Sequence, residues 1–497
     1  MNSKKILCLF LFCLSINFSL VAQDGYFTSN LYDTYEKYSA PSLDKRRVKH
    51  ADIQPLIDSF GDKPGFTVTR VGASIEGRRI RMISVGTGSI NVFLWSQMHG
   101  NEPTATLAIF DILTFLSSPD FADEKRKMLQ NLKIHFLPML NPDGAQVYQR
   151  RNRLGIDINR DALRLQSPEG RILKKVRDSL KADFGFNLHD QSIYYNAERT
   201  EKPATISYLA PAYNYEKDIN EVRGNAMKII VFMNNIIQKY APGQVGRYND
   251  DFEPRAFGDN IQKWGTSTIL IESGGYPNDI EKQEIRKLNY VSLLAAIYAI
   301  ANGSYAKIPL AEYTKIPEND RKLFDLKIQG ATYPLLGREY LLDIGINRLE
   351  VDLEGHQDFW YSSRILDLGD LSTFYGYETL DARGLTITQG KVYPQTLQTI
   401  GQLRDFKVME ALRKGYTYVR VKNISPKKAF IPLPIQVLGE THELPEFNLE
   451  LGVNPTFILA RDGVNRYAVI NGFLIDLESG EKAGIFNFAG KNGMIYR

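Results

Sequence analysis

Apolar and polar positions alternate in blocks along the first 300 residues, and each block predicts a strand or a helix. Residues 92–95 are apolar, which fits a strand buried on both faces, and polar turn residues follow at His99-Gly100-Asn101-Glu102. Residues 105–116 are apolar almost all round, which predicts a helix packed against the sheet, and Pro103 suits its first turn. The pattern therefore predicts a strand, a turn and a buried helix in that order.

The same alternation continues to about residue 302. Short apolar runs predict further strands over residues 132–140, 184–188, 206–212 and 266–271. Amphipathic or apolar stretches predict helices over residues 51–60, 168–182, 217–240 and 281–301. Strands that alternate with helices indicate an α/β fold, in which a mostly parallel mixed sheet is flanked by helices.

The pattern changes after Gly303. Long helical stretches largely disappear, and short alternating runs separated by turn residues dominate. Residues 306–497 are therefore predicted to be a β-rich accessory region, either a sandwich or two small β units.

The first 23 residues resemble a secretory signal peptide. Lys4 and Lys5 precede a mostly apolar stretch over residues 6–20, and Ala22 supplies a small residue near a cleavage point. A retained membrane anchor is the alternative, and a lipoprotein cut at Cys13 is disfavoured because bulky Phe12 precedes the cysteine. We expect an exported protein, periplasmic or secreted, whose mature chain contains no cysteine.

Composition narrows the function classes. The chain is 43% hydrophobic and 24% charged, as globular proteins are, and its net charge of +4 is too small to indicate a nucleic-acid partner. No stretch after the signal peptide approaches the roughly 20 apolar residues that a transmembrane helix needs.

Four polar residues follow apolar runs directly: His99, Asn141, His189 and Glu272. In a parallel sheet the carboxyl ends of the strands form one edge, where ligands bind. Each residue has a plain structural explanation by itself, such as a surface turn or a buried histidine. An imidazole and a carboxylate in H-x-x-E spacing can nevertheless bind one cation, and zinc accepts both ligand types.

The chain resembles the zinc carboxypeptidases of the carboxypeptidase A type (the M14 metallopeptidases) over roughly residues 65–300. Six motifs occur in the order of that family: G-x-S-x-E-G-R (Gly72, Ser74, Glu76, Gly77, Arg78), H-G-x-E (His99, Gly100, Glu102), N-P-D-G (Asn141 to Gly144), R-x-N-x-x-G-x-D-x-N-R (Arg150, Asn152, Gly155, Asp157, Asn159, Arg160), a strand that ends in His189, and a strand that ends in Glu272 before two glycines. The resemblance implies a zinc carboxypeptidase-like catalytic domain at residues 24–305, between the signal peptide expected at residues 1–23 and the accessory region expected at residues 306–497.

The resemblance also implies a role for each matching residue. His99, Glu102 and His189 would hold one zinc ion per chain and leave a ligand position open. Glu272 would act as the general base on a water molecule, and Arg150 would stabilise the oxyanion.

Three further residues are expected to bind substrate. Asn159 and Arg160 would bind the free carboxylate of a peptide, because a guanidinium matches that shape. Tyr248, in the polar stretch 247–259, is a candidate for the family's mobile tyrosine. Asp190 follows His189 and is a candidate for orienting it, although adjacent side chains on a strand point to opposite faces.

The leading hypothesis is an exported zinc metallocarboxypeptidase that hydrolyses the C-terminal peptide bond of peptides. A cell-wall (murein) peptide amidase or carboxypeptidase with the same chemistry is the alternative, because the segment between Asn141 and Asn159 is short. A non-catalytic protein that binds peptide termini is a third hypothesis, from a different functional class.

Overall fold

The computed structural model describes residues 27–424, 431–444, 446–479 and 495–496. The predicted signal peptide lies outside the described residues. The chain divides into two compact units, Met1–Arg321 and Lys322–Arg497.

Unit 1 contains alternating strands and helices, as the pattern predicts. Its strands are β1 (Phe66–Ala73), β2 (Arg79–Val85), β3 (Ile90–Ser96), β4 (Leu132–Leu137), β5 (Phe184–Asp190), β6 (Asn196–Ala197), β7 (Ile206–Leu209), β8 (Val245–Arg247), β9 (Ser267–Ser273) and β10 (Asn319–Asp320). Its helices are α1 (His50–Gly61), α2 (Thr104–Ser117), α3 (Ala122–Asn131), α4 (Pro142–Gln146), α5 (Pro168–Leu180), α6 (Glu221–Ile237), α7 (Phe257–Lys263) and α8 (Gln283–Asn302). Short 3-10 helices cover Tyr35–Lys37, Pro41–Leu43, Ile158–Arg160, Ser304–Lys307 and Leu310–Lys315.

Among the described residues of unit 1, eight strands form one mixed sheet in the order β1-β2-β4-β3-β5-β9-β7-β8. The central strands β4, β3, β5 and β9 run parallel to one another. Strands β1 and β2 pair antiparallel at one edge, and β7 runs antiparallel to β9 near the other. The predicted α/β fold, a mostly parallel mixed sheet flanked by helices, is confirmed.

The apolar run in β3 serves both faces of the sheet. Val92 and Leu94 pack in a core cluster with residues of α2, α6 and α8, whereas Phe93 and Trp95 pack in a second cluster with residues of α5 and α7. Alternate residues of a strand point to opposite faces. A strand between two helical layers is therefore apolar at every position, which explains the continuous run in the sequence.

Unit 1 extends further along the chain than the predicted boundary at residue 305. Tyr313 and Ile316 are buried in its larger core cluster, and the Tyr313 hydroxyl accepts a hydrogen bond from the Ala210 amide at 3.1 Å. Strand β10 pairs with β6 of the same unit. The boundary at Arg321 follows because these segments after α8 bury apolar and backbone groups on unit 1.

The Ala210 amide is the donor in that hydrogen bond, and the Tyr313 hydroxyl oxygen is the acceptor. Ala210 directly follows β7, so this contact fixes the segment after α8 against the end of an edge strand.

Unit 2 is β-rich, as predicted. Its strands are β11 (Leu323–Leu335), β12 (Arg338–Asp352), β13 (Phe359–Gly369), β14 (Tyr375–Asp381), β15 (Thr386–Thr388), β16 (Lys391–Val392), β17 (Leu397–Thr399), β18 (Tyr416–Asn423), β19 (Gln436–Gly439), β20 (Phe457–Arg461), β21 (Val464–Ile470), β22 (Phe473–Asp476) and β23 (Ile495–Tyr496). It also contains helix α9 (Val408–Arg413) and a 3-10 helix at Ile400–Asp405. The described strands form an eight-stranded sheet and a five-stranded sheet.

No single helix in the described part of the chain is long and apolar enough to cross a membrane. Helices α2 and α3 meet that length and composition only as a pair, which is bent by 108° between them.

Candidate metal centre and active site

The carboxyl ends of the central strands bring the candidate residues together. In the parallel pairing of β5 with β9, His189 lies opposite Glu272. Strand β3 pairs with the other side of β5, with Ser96 opposite Leu188, and the turn that contains His99 and Glu102 follows β3. The site therefore lies at the sheet edge where α/β proteins bind ligands.

Three side chains converge at this edge. The Nδ1 atoms of His99 and His189 lie 2.9 and 2.8 Å from Oε2 of Glu102, and 3.1 Å from each other. All three residues are buried, and their ligand atoms lie within 4.8 Å of one another. Two imidazole nitrogens and one carboxylate oxygen are the donor set of a catalytic zinc site with an open position.

The second nitrogen of His99 is fixed by a carboxylate. Nε2 of His99 lies 3.0 Å from Oδ1 of Asp157, which favours the tautomer with the proton on Nε2 and the lone pair on Nδ1. Nε of Arg150 donates to Oδ2 of Asp157 at 3.0 Å, and its Nη1 donates to Oε1 of Glu102 at 3.1 Å. The donor set and the orientation of His99 both fit a metal ion.

Two motif glycines allow the turns of the site to approach each other. A Cβ on Gly100 would lie 2.0 Å from the backbone carbon of Gly144, and a Cβ on Gly144 would lie 2.5 Å from Nδ2 of Asn141. Asn141 accepts from the Gly144 amide at 2.9 Å and donates to the Arg150 carbonyl at 3.3 Å. The N-P-D-G motif thus supports the backbone that carries Arg150.

Asp143 of the same motif holds the G-x-S-x-E-G-R turn. Its carboxylate accepts from the Ser74 hydroxyl at 2.7 Å, from the Glu76 amide at 3.0 Å and from Nη1 of Arg78 at 2.7 Å. Asp143 is buried, so these three hydrogen bonds satisfy a charge that would otherwise be costly there.

The two glutamates of the site have opposite pKa shifts. Burial alone would raise the pKa of Glu102, but the neighbouring His99 and His189 hold it well below its usual range. Burial raises the pKa of Glu272 well above its usual value, and the negative charges of Glu102 and Asp190 raise it further. Glu102 is thereby favoured as an ionised ligand, and Glu272 as a carboxylate that takes up a proton more readily than an ordinary glutamate.

Asn159 and Arg160 lie on the 3-10 helix Ile158–Arg160, directly after Asp157. Oδ1 of Asn159 accepts from the Phe257 amide at the start of α7, at 2.9 Å. Nε of Arg160 lies 3.4 Å from Oε2 of Glu253, in the loop before α7. This loop therefore lies beside both residues predicted to bind a substrate carboxylate.

Tyr248 follows β8, and its amide donates to the Tyr208 carbonyl at 2.9 Å. Its hydroxyl donates to that of Tyr195 at 3.5 Å, and the two rings meet edge to face. Burial raises the pKa of Tyr248, and the charge of Glu272 raises it further, so the phenol keeps its proton. The arrangement gives the site a neutral hydroxyl donor within electrostatic range of Glu272.

Asp190 does not orient His189 through its ring. The Asp190 carboxylate instead accepts from the Thr104 hydroxyl at 2.5 Å and from Nζ of Lys282 at 2.9 Å. Its backbone amide donates to Oε2 of Glu102 at 3.3 Å. The side chain points away from His189, as the alternation of a strand requires, and links the end of β5 to α2 and to the residue before α8.

Four residues of the site were not predicted as functional from the sequence. Asp157 lies within the R-x-N-x-x-G-x-D-x-N-R motif, which was the available signal. Lys282, Tyr195 and Glu253 lie outside every motif, and only tertiary structure brings them to the site.

Comparisons with known proteins point to one family. A family model described as zinc carboxypeptidase matches residues 55–202. Probable carboxypeptidase 2 of Trichophyton verrucosum is 30% identical over 135 residues, which is 26% of this chain and 24% of that protein. Carboxypeptidase E of Caenorhabditis elegans is 30% identical over 116 residues, which is 19% of this chain and 25% of that protein. The chain spans about a quarter of the length of these curated relatives.

Two solved structures share low identity with the chain. A metallo-carboxypeptidase from Burkholderia cenocepacia has a TM-score of 0.42 and 16% identity over 51% of this chain and 69% of that one. Carboxypeptidase A from Helicoverpa armigera has a TM-score of 0.41 and 18% identity over 58% of this chain and 82% of that one.

The matched residues 55–202 include the His99, Glu102 and His189 cluster and five of the six motifs. The sequence match and the convergence of these motifs thus agree, and the chain contains a domain of the zinc carboxypeptidase (M14) family.

Proposed function

We propose that the protein is an exported zinc metallocarboxypeptidase that hydrolyses the C-terminal peptide bond of peptides. The observation that carries the proposal is the convergence of Nδ1 of His99, Oε2 of Glu102 and Nδ1 of His189, with Glu272 opposite His189 in the sheet. His99, Glu102 and His189 would hold the metal. When bound, zinc supplies Lewis-acid chemistry, which lowers the pKa of water and polarises a carbonyl group.

Glu272 is the proposed general base. Its raised pKa suits a carboxylate that accepts a proton from the attacking water at one of its oxygens. The same carboxyl group then delivers the proton to the leaving amine. Arg150 is proposed to stabilise the negative oxygen of the tetrahedral transition state, because its guanidinium lies beside the ligand cluster and its side chain is 43% exposed, so a substrate can reach it.

Substrate binding is assigned to three residues. Asn159 and Arg160 bind the free C-terminal carboxylate, and the neutral phenol of Tyr248 donates a hydrogen bond to the substrate. The proximity of Tyr248 to Tyr195 and the charge interaction with Glu272 support this last assignment.

The test is the substitution Glu272→Gln, with Glu312→Gln as the control. Glu312 pairs with Lys315 on the surface, away from the cluster. Glu272→Gln should retain one zinc per chain by elemental analysis and lose about two to four orders of magnitude in kcat, the usual contribution of a general base. Turnover equal to that of the parent protein would contradict the role of Glu272.

Trimming of cell-wall peptides is the second candidate. Between Asn141 and Asn159 the chain forms only α4, a loop and the start of the 3-10 helix Ile158–Arg160, and the shortness of this segment is the feature that favours the cell-wall candidate. Incubation with a peptide library and with muropeptides, followed by mass spectrometry, separates the two substrates. Release of residues from ordinary peptides alone would contradict the cell-wall candidate. A protein that contains no zinc by elemental analysis after preparation with zinc available would favour a non-catalytic peptide-binding protein.

Export is part of the proposal and has its own test. N-terminal sequencing of the protein from the periplasm or the medium should give Asp24 as the first residue if residues 1–23 are removed.

A further inference from the structure

Glu253 is a carboxylate of this chain that contacts the proposed substrate-binding arginine. Its Oε2 lies 3.4 Å from Nε of Arg160. The side chains of Glu253 and Arg160 are 32% and 38% exposed, so the contact is accessible from solvent. A free peptide carboxylate that binds Arg160 would approach the same guanidinium.

A second arginine also binds Glu253. Nε of Arg255 donates to Oε1 at 3.1 Å, and Nη2 donates to Oε2 at 3.0 Å, which is the paired geometry that guanidinium and carboxylate groups favour. The Arg255 side chain is 59% exposed. Arg160 and Arg255 therefore share one carboxylate.

The backbone holds Glu253 in this position. Its amide donates to Oδ1 of Asp259 at 3.0 Å, and its carbonyl accepts from the Ala256 amide at 2.9 Å. The Arg255 carbonyl accepts from the Ala162 amide at 3.1 Å, which joins this loop to the segment that carries Arg160. The carboxylate is thus presented to Arg160 by an ordered loop.

We infer that Glu253 is an internal competitor for Arg160, so that the C-terminal carboxylate of a peptide displaces Glu253 from the guanidinium when it binds. The inference rests on the proposed function, because it takes Arg160 as the group that binds the substrate carboxylate. Arg255 then has a defined part: it holds Glu253 when Glu253 leaves Arg160. Glu253 and Arg255 are specificity-determining residues in this scheme, because they favour ligands whose carboxylate competes well.

The expected effect is modest. Competition raises the apparent dissociation constant in inverse proportion to the fraction of molecules in which Arg160 is available. If Glu253 occupies Arg160 in about half to four-fifths of molecules, its removal lowers KM roughly two- to fivefold, or about 0.4–1 kcal/mol at about 1.4 kcal/mol per tenfold. Exposed ion pairs of this kind are modest in strength, which agrees with that range.

The experiment compares two variants with opposite expected effects. Glu253→Gln keeps an oxygen that can accept from Arg255 but removes the charge that attracts Arg160, and it should lower KM two- to fivefold with kcat little changed. Arg255→Gln leaves Glu253 with Arg160 as its partner, and it should raise KM. The substrate is an N-acylated dipeptide with a free C-terminus, chosen by turnover on the parent protein from a set of twenty C-terminal residues.

A binding measurement removes the dependence on turnover. Calorimetry of the same dipeptide with Glu272→Gln and with Glu272→Gln/Glu253→Gln should show a two- to fivefold fall in the dissociation constant. The C-terminal amide of the dipeptide should show no such gain, because it lacks the competing charge. Asp178→Asn, which likewise removes a surface carboxylate shared by two basic side chains, Lys174 and Arg177, is the matched control and should change neither constant.

The outcomes separate the inference from the proposed function. If Glu253→Gln leaves KM unchanged or raises it, the competition does not occur. If both variants raise KM, the carboxylate merely holds the loop. If Arg160→Gln binds the free dipeptide as tightly as the parent, Arg160 is not the carboxylate site and the inference fails with that assignment, whereas the zinc content and the loss of turnover in Glu272→Gln still test the hydrolytic function separately.

Discussion

Lys282→Met should weaken zinc binding even though Lys282 touches none of the three candidate ligands. Nζ of Lys282 donates to Asp190 at 2.9 Å and to the Ser273 carbonyl at 3.2 Å, and the side chains of Lys282 and Asp190 are each only 8% exposed. Asp190 in turn accepts from Thr104 and reaches Glu102 through its amide. The ammonium therefore fixes the junction of β5, α2 and β9.

The expected loss of stability in Lys282→Met follows from the burial of the Lys282–Asp190 ion pair. Removing one partner of a buried ion pair typically costs 3–5 kcal/mol, because the other charge remains buried without its partner. The Thr104 hydroxyl still serves Asp190, so we expect about 2–4 kcal/mol of lost unfolding free energy. Nε2 of His189 has no hydrogen-bond partner among the residues that the structure describes, so the direction of this ring depends on its Nδ1 contacts within the ligand cluster and on the position of the end of β5. Loss of an orienting contact around a metal site typically costs 10–100-fold in affinity, and we expect a loss in that range.

The assay is zinc competition with a chromophoric chelator on the folded protein, together with urea unfolding. Lys125→Met is the control, because Lys125 is equally buried. Its ammonium binds the carbonyl oxygens of Phe115 and Ser118 at the C-terminal end of α2, the opposite end of the helix from Glu102. Both variants should lose stability, but Lys282→Met alone should lose zinc affinity. If the two variants bind zinc as tightly as the parent, the junction does not position the ligands.

Three further predictions concern stability and the accessory unit. Burial, together with the neighbouring charge of Lys133, lowers the pKa of His135 to about 4, so His135 is neutral in the folded state at neutral pH. Its contribution to stability is complete above pH 6.5 and is lost as the pH falls towards 4, by up to about 3 kcal/mol, and pH-dependent urea unfolding of His135→Gln should lack this loss. Asp143→Asn should cost about 1–3 kcal/mol in the same assay, because the charged hydrogen bonds to Ser74 and Arg78 are weakened; an unchanged midpoint would contradict that. A chain that ends at Arg321 should fold, bind zinc and retain its rate on a small substrate; a loss of more than tenfold in turnover by a folded fragment would show that unit 2 contributes to the chemistry.

The fold of unit 1 was largely predictable because buried positions are apolar, and their spacing in the sequence follows the geometry of the strand or helix. Residues 92–95 are apolar at every position since β3 lies between two helical layers, and the helix predicted over residues 168–182 is α5, Pro168–Leu180. The antiparallel direction of the edge strands could not be predicted in this way, because strand direction depends on the connections between strands rather than on the spacing of apolar residues. Pro103, predicted in the first turn of α2, is the residue immediately before it.

The candidate site was only partly predictable: residues close together in the sequence could be assigned a joint role, whereas contacts between residues far apart in the sequence could not. His99 and Glu102 share a turn, so their spacing alone indicates a joint ligand role. Lys282 and Asp190 are 92 positions apart, and neither has a pattern around it that predicts the contact. The buried pair Asp111 and Arg286, at 2.6 Å, is hidden in the same way within helices that look like ordinary core helices.

Glu102 and Glu272 show why residue type and position alone do not assign chemistry. Both are glutamates at the same edge of one sheet: Glu102 lies in the turn after β3, and Glu272 lies near the end of β9, before two glycines. Glu102 lies within 2.9 Å of two imidazole nitrogens, which lower its pKa, whereas Glu272 lies in the field of Glu102 and Asp190, which raise it. A carboxylate that stays ionised suits a cation, and one with a raised pKa suits proton transfer. The two roles therefore follow from the neighbours that the fold supplies.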